Sequence, residues 1–339
     1  MIREAIKILG EMKDLSPALM QAVMEEIMTG HADTEDIINF LTSLSNKGES
    51  VEEISAAVEV MRRHLTKIYS KSKVILDTCG TGGDKKNTFN ISTIVAFVAS
   101  GCGIKVAKHG NRSVSSKCGS ADILEAIGIN IGLDSQRLAQ CLDEVGIAFL
   151  FAQNLHLAMK YAMPARKKIA RRTIFNILGP LSNPALATHQ LVGVFDSHWT
   201  KVIAQVLSNL GAVHALIVCG EDGLDEITTT TSTLVSETYQ GKINNYRIDP
   251  LELGFKKAQH KDIIGGAIQE NVRILFDILE GNHGPKRDIV VLNAAAAIYA
   301  ADKVSSIKEG IILAVESIDS GRALKKLGLL KEFSQKADG

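Results

Sequence analysis

Val74-Ile75-Leu76-Asp77-Thr78-Cys79-Gly80-Thr81-Gly82-Gly83-Asp84 is the stretch on which the fold turns. A short apolar run predicts a buried strand over 74–76, and a glycine cluster ends it. In open α/β sheets ligands bind beyond the carboxyl ends of the strands. Glycines at such a place let backbone N–H groups reach phosphate oxygens with no Cβ in the way, although a plain tight turn would use the same residues. The loop does not match GxxxxGK[ST] and lacks the GxGxxG spacing, which argues against a P-loop and a dinucleotide fold. Asn87-Thr88-Phe89-Asn90-Ile91-Ser92-Thr93 follows, placing hydroxyls and amides at the start of the next helix. A helix N-terminus with free N–H groups is an anion site, and capping by Asn90 or Ser92 is compatible with that use.

Downstream, an apolar helix is predicted over 91–102 and further strands over 104–107, 147–151, 191–195, 215–219 and 289–292, with helices between most of them. That alternation implies a largely parallel α/β sheet. Residues 234–237 and 242–247 around Gln240-Gly241 read as an antiparallel hairpin at its edge. Upstream, the first seventy residues read as helices only. Ser16-Pro17 starts one that Gly30 stops, Asp33/Thr34 can cap the next, and Ser50-Val51-Glu52-Glu53 fits a capping box. The basic stretch 154–172 reads as helical with a hinge at Pro164, its cations mostly a solvated face.

Composition narrows the classes. Lys+Arg and Asp+Glu both total 38 in 339 residues, so no overall positive field favours nucleic acid or an anionic membrane. Five widely spaced cysteines without a CxxC pair imply reduced thiols and a cytoplasmic setting. No signal-peptide core or membrane-length apolar run is expected.

Three further segments carry chemistry. Lys108, His109, Gly110, Asn111, Arg112, Ser113, Val114, Ser115, Ser116, Cys118, Gly119, Ser120, Ala121 and Asp122 combine cations, an amide and hydroxyls in a set suited to a polyanion. His109 receives no role from the sequence. Gly220-Glu221-Asp222-Gly223-Leu224-Asp225-Glu226 places acid pairs after a strand, as Mg²⁺ shared with substrate phosphates would require. Spacing alone does not choose between the pairs. Phe175-Asn176-Ile177-Leu178-Gly179-Pro180-Leu181-Ser182-Asn183-Pro184 reads as the end of a helix and a turn.

Taken together, GTGGD at 80–84, NIST at 90–93, KHGNRSVSSKCGSAD at 108–122, RTIFNILGPLSNP at 172–184 and GLDE at 223–226 closely resemble the anthranilate phosphoribosyltransferases of tryptophan biosynthesis. The resemblance runs the length of the chain. It implies a small all-helical domain over 1–70, completed by about 165–184. A larger α/β domain over 71–164 and 185–339 would carry the mostly parallel sheet, with the active site in the cleft between them. It also implies a homodimer and transfer of phosphoribose from 5-phosphoribosyl 1-diphosphate (PRPP) to the amine of anthranilate, with two Mg²⁺ ions per subunit. The residues so implied for PRPP are Gly80, Gly83, Asp84, Thr88, Asn90, Ile91, Ser92, Thr93, Lys108, His109, Gly110, Asn111, Arg112, Ser113, Val114, Ser115, Ser116 and Ser120. Those implied for anthranilate are Gly80, Asn111 and Arg166, and those for metal are Ser92, Asp225 and Glu226. No covalent nucleophile is implied. The chain departs from the family at Gln153 and Leu157, where prolines are common, and at Cys118, where serine is common. A pyrimidine nucleoside phosphorylase has a similar fold. A non-catalytic nucleic-acid-binding relative would be expected to lack the acid pair and to carry a basic groove.

Overall fold

The computed structural model describes residues 1–113 and 118–336. Helices α1 (Ile2–Gly10), α2 (Pro17–Met28), α3 (Thr34–Lys47) and α4 (Val51–Arg63) come first. Their starts follow the side chains that satisfy free N–H groups. The Ser16 hydroxyl accepts from Leu19 N at 3.3 Å before α2. At α4 the capping box is reciprocal: Ser50 N–H donates to Glu53 at 2.8 Å, and Glu53 N–H to the Ser50 hydroxyl at 3.2 Å. Asp33 precedes α3 without a side-chain capping bond.

Glu53 does more than cap. Its carboxylate is fully buried, accepts from Leu15 N at 2.9 Å, and lies 2.6 Å from Lys47 Nζ. Removing one member of a buried ion pair strands the other. Glu53→Ala is therefore expected to lower unfolding free energy by about 3–5 kcal/mol. A denaturant titration showing less than about 1 kcal/mol of loss would contradict this account of the bundle.

The chain then forms β1 (Leu76–Gly80), α5 (Ile91–Gly101), β2 (Val106–Gly110), α6 (Ser120–Ala126), α7 (Ser135–Glu144) and β3 (Ile147–Phe151). Next come α8 (Ala152–Leu155), a 3₁₀ turn at Leu157–Tyr161, α9 (Met163–Ile169) and α10 (Ile174–Leu181). They are followed by β4 (His189–Gly193), α11 (His198–Asn209), β5 (His214–Gly220), β6 (Thr233–Tyr239) and β7 (Lys242–Ile248). Helices α12 (Ile268–Leu279), α13 (Pro285–Ala300), α14 (Ile307–Asp319) and α15 (Arg322–Gln335) end the chain.

The sheet order is β3-β2-β1-β4-β5-β6-β7; the first five strands run parallel, and β6 and β7 add antiparallel. The chain leaves β1 toward β2 and β3, then returns to the other side of β1 as β4. The crevice between β1 and β4 is thus the switch point where such sheets bind ligands. Both faces are covered. Leu191, Leu216 and Val218 enter a core with α5, α13 and α14, while the alternate residues Val192, Ala215 and Ile217 enter one shared with α1–α4. Helices α9 and α10 pack on α3, and α10 also packs on α4. No helix among the described residues is long and apolar enough to cross a membrane.

Several expected boundaries shift, each for a physical reason. The first two strands run to Gly80 and Gly110 because Asp77 and Lys108, though charged, are buried inside them and paired there. Likewise β4 begins at His189, with His189 and Gln190 buried. The strand expected over 289–292 is instead the interior of α13, apolar because it is covered on all sides. Residues 154–172 are not one helix. Pro164 lies in the first turn of α9, where no N–H is needed, and does not interrupt a helix. Gly179 and Pro180 lie within α10 and do not end it. The hairpin turn at Gln240 and Gly241 forms as read, with φ of 49° and 80°.

Candidate active site

The carboxyl ends of β1, β2, β4 and β5 bring the glycine, basic and acidic segments together. Gly82 N–H donates to Asp225 Oδ2 at 3.0 Å across 143 residues of sequence. Thr81 N–H donates to the carbonyl of Gly193 at 2.9 Å. Gly193 itself must be glycine, because a Cβ there would overlap the Asp225 carbonyl. A Cβ at Gly80 would lie 2.9 Å from Asp225 Oδ2. The loops after β1 and β5 are thereby seated on the end of β4.

The segment from β2 joins them from beneath. Lys108 is buried; its Nζ donates to the Thr78 carbonyl at 2.6 Å and to Ser92 Oγ at 3.1 Å. The backbone of Ser92, in the first turn of α5, favours the ionised form of Glu226. Asp77 ties β1 to β2 by accepting from His109 N at 3.0 Å, and Asn183 Nδ2 donates to it at 2.7 Å. Asn183 Nδ2 also donates to Ala107 O at 2.8 Å.

The acids crowd one another. Burial and the neighbouring Asp84 carboxyl raise Asp225 to about 7. Burial first, and then Asp225, push Glu226 well above the usual carboxylate range, against the pull of Lys108. Asp84 Oδ1 accepts from Lys86 N at 3.0 Å, whereas its Oδ2 is buried with no donor among the described residues. Such a set fits a divalent cation, which would neutralise the acids and use the open oxygen. Among the described residues no three acidic, His or Cys side chains form a complete cage. That suits an ion that takes one or two carboxylates and completes its shell with water and phosphate oxygens. The acids left open by spacing differ in their contacts. Asp222 is occupied by the hydroxyls of Thr228 and Thr230, and Glu221 pairs with Arg247.

The other expected residues are engaged to different degrees. Asn90 Nδ2 donates to Cys118 O at 3.2 Å, and Ser120 Oγ to Asn111 O at 3.2 Å. Ile91 and Thr93 are buried, and the Thr93 hydroxyl has no hydrogen-bond partner among the described residues. Thr88 bridges to Ile264, and Gly83 takes a left-handed φ of 78°. Arg112 is exposed and paired with Glu125 and Asp122. Ser113 N–H donates to Asp122 at 3.3 Å. Gly110 closes β2 with Ser120 Oγ packed where a Cβ would stand. Val114, Ser115 and Ser116 lie outside the described residues. Arg166 is half-buried, its guanidinium 5.5 Å from the centre of the Phe175 ring.

Some of the contacts were not legible in the sequence. His156 Nε2 lies 3.0 Å from His109 Nε2, with the rings stacked. Burial, and for His109 also its partner, lowers His109 well below the ordinary value and His156 to about 4, so both are neutral near pH 7. Gln153 Nε2 donates to Asn111 Oδ1 at 3.2 Å. Arg172 reaches the Gly83 carbonyl from the link before α10. Cys79, at the floor, is buried, and burial raises its thiol far above the range of a nucleophile.

Comparison with known proteins agrees with this layout. The glycosyl transferase family matches in two parts, its helical bundle domain at residues 3–65 and its a/b domain at residues 72–324. The anthranilate phosphoribosyltransferase of Symbiobacterium thermophilum is 48% identical over 99% of this chain and 98% of its own. The crystal structure of anthranilate phosphoribosyltransferase from Thermus thermophilus superposes with a TM-score of 0.93 at 38% identity, covering 98% of this chain and 99% of that one. The Saccharomyces cerevisiae enzyme in complex with PRPP and Mg superposes with a TM-score of 0.87 at 28% identity, over 98% and 97% of the two chains. Similarity of this degree, end to end and in both parts, places the chain in the anthranilate phosphoribosyltransferase family.

Proposed function

We infer that this chain transfers the 5-phosphoribosyl group of PRPP to the amine of anthranilate, releasing diphosphate and N-(5-phosphoribosyl)anthranilate. The observation that carries this reading is the meeting of the glycine loop with Asp225 at the switch point of the sheet, beside the Lys108 contact to Ser92 at the start of α5. Diphosphate gathers negative charge as the bond to ribosyl C1 breaks, so donors aimed at it favour the transition state over the ground state. The N–H groups of the glycine loop and of α5, together with Lys108, supply that field. Mg²⁺, when bound, adds positive charge to the departing oxygens. Asp225, Glu226 and Ser92 would hold it, and we assign two ions per subunit, as the family resemblance implies.

The aromatic amine is neutral at pH 7 and needs placement, not deprotonation. Asn111 and Arg166 would receive the carboxylate of anthranilate, with Arg166 brought in by α9. The helical part, 1–70 with about 165–184, and the remaining α/β part would close over the substrates. We assign a homodimer through the helical part, working in the cytoplasm.

The test is loss of anthranilate fluorescence on adding PRPP and Mg²⁺; absence of any turnover by the full chain would end this reading. Arg166→Ala is expected to raise KM for anthranilate about 10- to 100-fold, the worth of a charge-assisted hydrogen bond. KM for PRPP should hold steady. An equal rise in both constants would remove Arg166 from the anthranilate site.

A further inference from the structure

We propose that Arg172 is a positioning residue for phosphoribosyl transfer, holding the glycine loop through the Gly83 carbonyl and tying it to the segment that carries Arg166. The inference rests on the functional reading above and adds a residue to it.

Arg172 sits in the link between α9 and α10, and both ends of that link are held. Ala170 closes α9 in the left-handed region at φ 50°, and Thr173 N–H donates to Asn176 Oδ1 at 3.0 Å to open α10. From this short link the guanidinium stacks on Phe195, with Cζ 3.3 Å from the ring centre, and donates to the Gly83 carbonyl. A Cβ on Gly83 would come 2.6 Å from Nη2, so this approach needs glycine at that position. Phe195 follows β4, whose Gly193 seats Asp225. One planar cation therefore joins the α9–α10 link, the glycine loop and the end of β4. Stacking and directed donation together are a task for arginine and not for lysine.

The same guanidinium feels the carboxylates of Asp225, Asp84 and Asp196. Removing it should then have two effects of opposite sign. The glycine loop loses its anchor and PRPP binds less well. The acids lose a neighbouring cation, so a divalent ion binds them more tightly when PRPP is absent. General damage to the site would weaken both. Arg172→Lys separates the two effects, because it keeps the charge and loses the plane.

The experiment uses the full chain with Arg172→Ala and Arg172→Lys. Calorimetry measures PRPP binding with Mg²⁺ but no anthranilate, and Mg²⁺ binding alone; anthranilate fluorescence gives turnover. Both variants should weaken PRPP binding and kcat/KM about 10- to 100-fold, as the loss of a hydrogen bond from a charged donor implies. Mg²⁺ alone should bind more tightly to Arg172→Ala and unchanged to Arg172→Lys. If Arg172→Ala does not fold, Phe195→Leu removes the stacking platform and should weaken PRPP in the same way. PRPP binding within about twofold of wild type in these variants overturns the proposal, as does Mg²⁺ binding that weakens alongside PRPP. A wild-type chain that neither binds PRPP nor consumes anthranilate brings down the functional reading and this inference with it. An active wild type matched by its variants removes this inference alone.

Discussion

Asp225→Asn combined with Glu226→Gln is expected to lower kcat/KM for PRPP by about 10³-fold or more, since the charge that offsets a departing diphosphate is worth several kcal/mol. The pair is isosteric, and the Gly82 N–H can still donate to the amide oxygen at position 225, so the fold should survive. A melting temperature near that of wild type, with turnover nearly gone, is the expected result; full turnover would remove the acid pair from the reaction. The raised pKa values of the acids add a pH signature. Burial and Asp84 place Asp225 at about 7, so the wild-type site is increasingly protonated as pH falls through that value. A metal requires the deprotonated acid. The Mg²⁺ concentration for half-saturation should then rise as pH falls through 7, and Asp225→Asn should make that dependence shallower, with Glu226 left to titrate.

Lys108→Met should be nearly as damaging, for a different reason. The ammonium is buried, bridges the Thr78 carbonyl and Ser92 Oγ, and its charge acts on both Asp77 and Glu226. Methionine fills a similar volume but takes away the cation that favours the ionised forms of Asp77 and Glu226. The expected outcome is a loss of about 3 kcal/mol in stability, the cost of stranding a buried charge. A fall in kcat/KM of about 10²-fold or more should accompany it, as when one oriented donor is deleted from a site. Lys108→Arg should not restore activity, because the wider guanidinium does not fit the buried place where the ammonium meets the Thr78 carbonyl of β1 and Ser92 of α5. Urea unfolding and steady-state kinetics on the same preparations check both parts. A stable, active Lys108→Met enzyme would show that the cation is incidental.

Much of this architecture was readable in one dimension. Ser16-Pro17, the Ser50–Glu53 capping box and the Gln240-Gly241 turn formed as expected because caps and left-handed turns are decided by a few adjacent residues. The glycine, basic and acidic segments were recognisable for the same reason, each being a dense local set. The strand errors share one cause. The early end assigned to the first strand, the late start assigned to β4 and the strand misread at 289–292 all come from judging burial by apolar runs.

The sequence by itself determined the helical start, the alternating α/β order and which loops carry the chemistry, since these depend on backbone preference and side-chain type within a few residues. Tertiary structure alone decided that Asp77 and Lys108 lie inside strands, that Asp225 rather than Asp222 meets the glycine loop, and that Arg172 grips Gly83. A buried charge is tolerable only when its partner arrives from another element, and those partners lie tens to more than a hundred residues away along the chain.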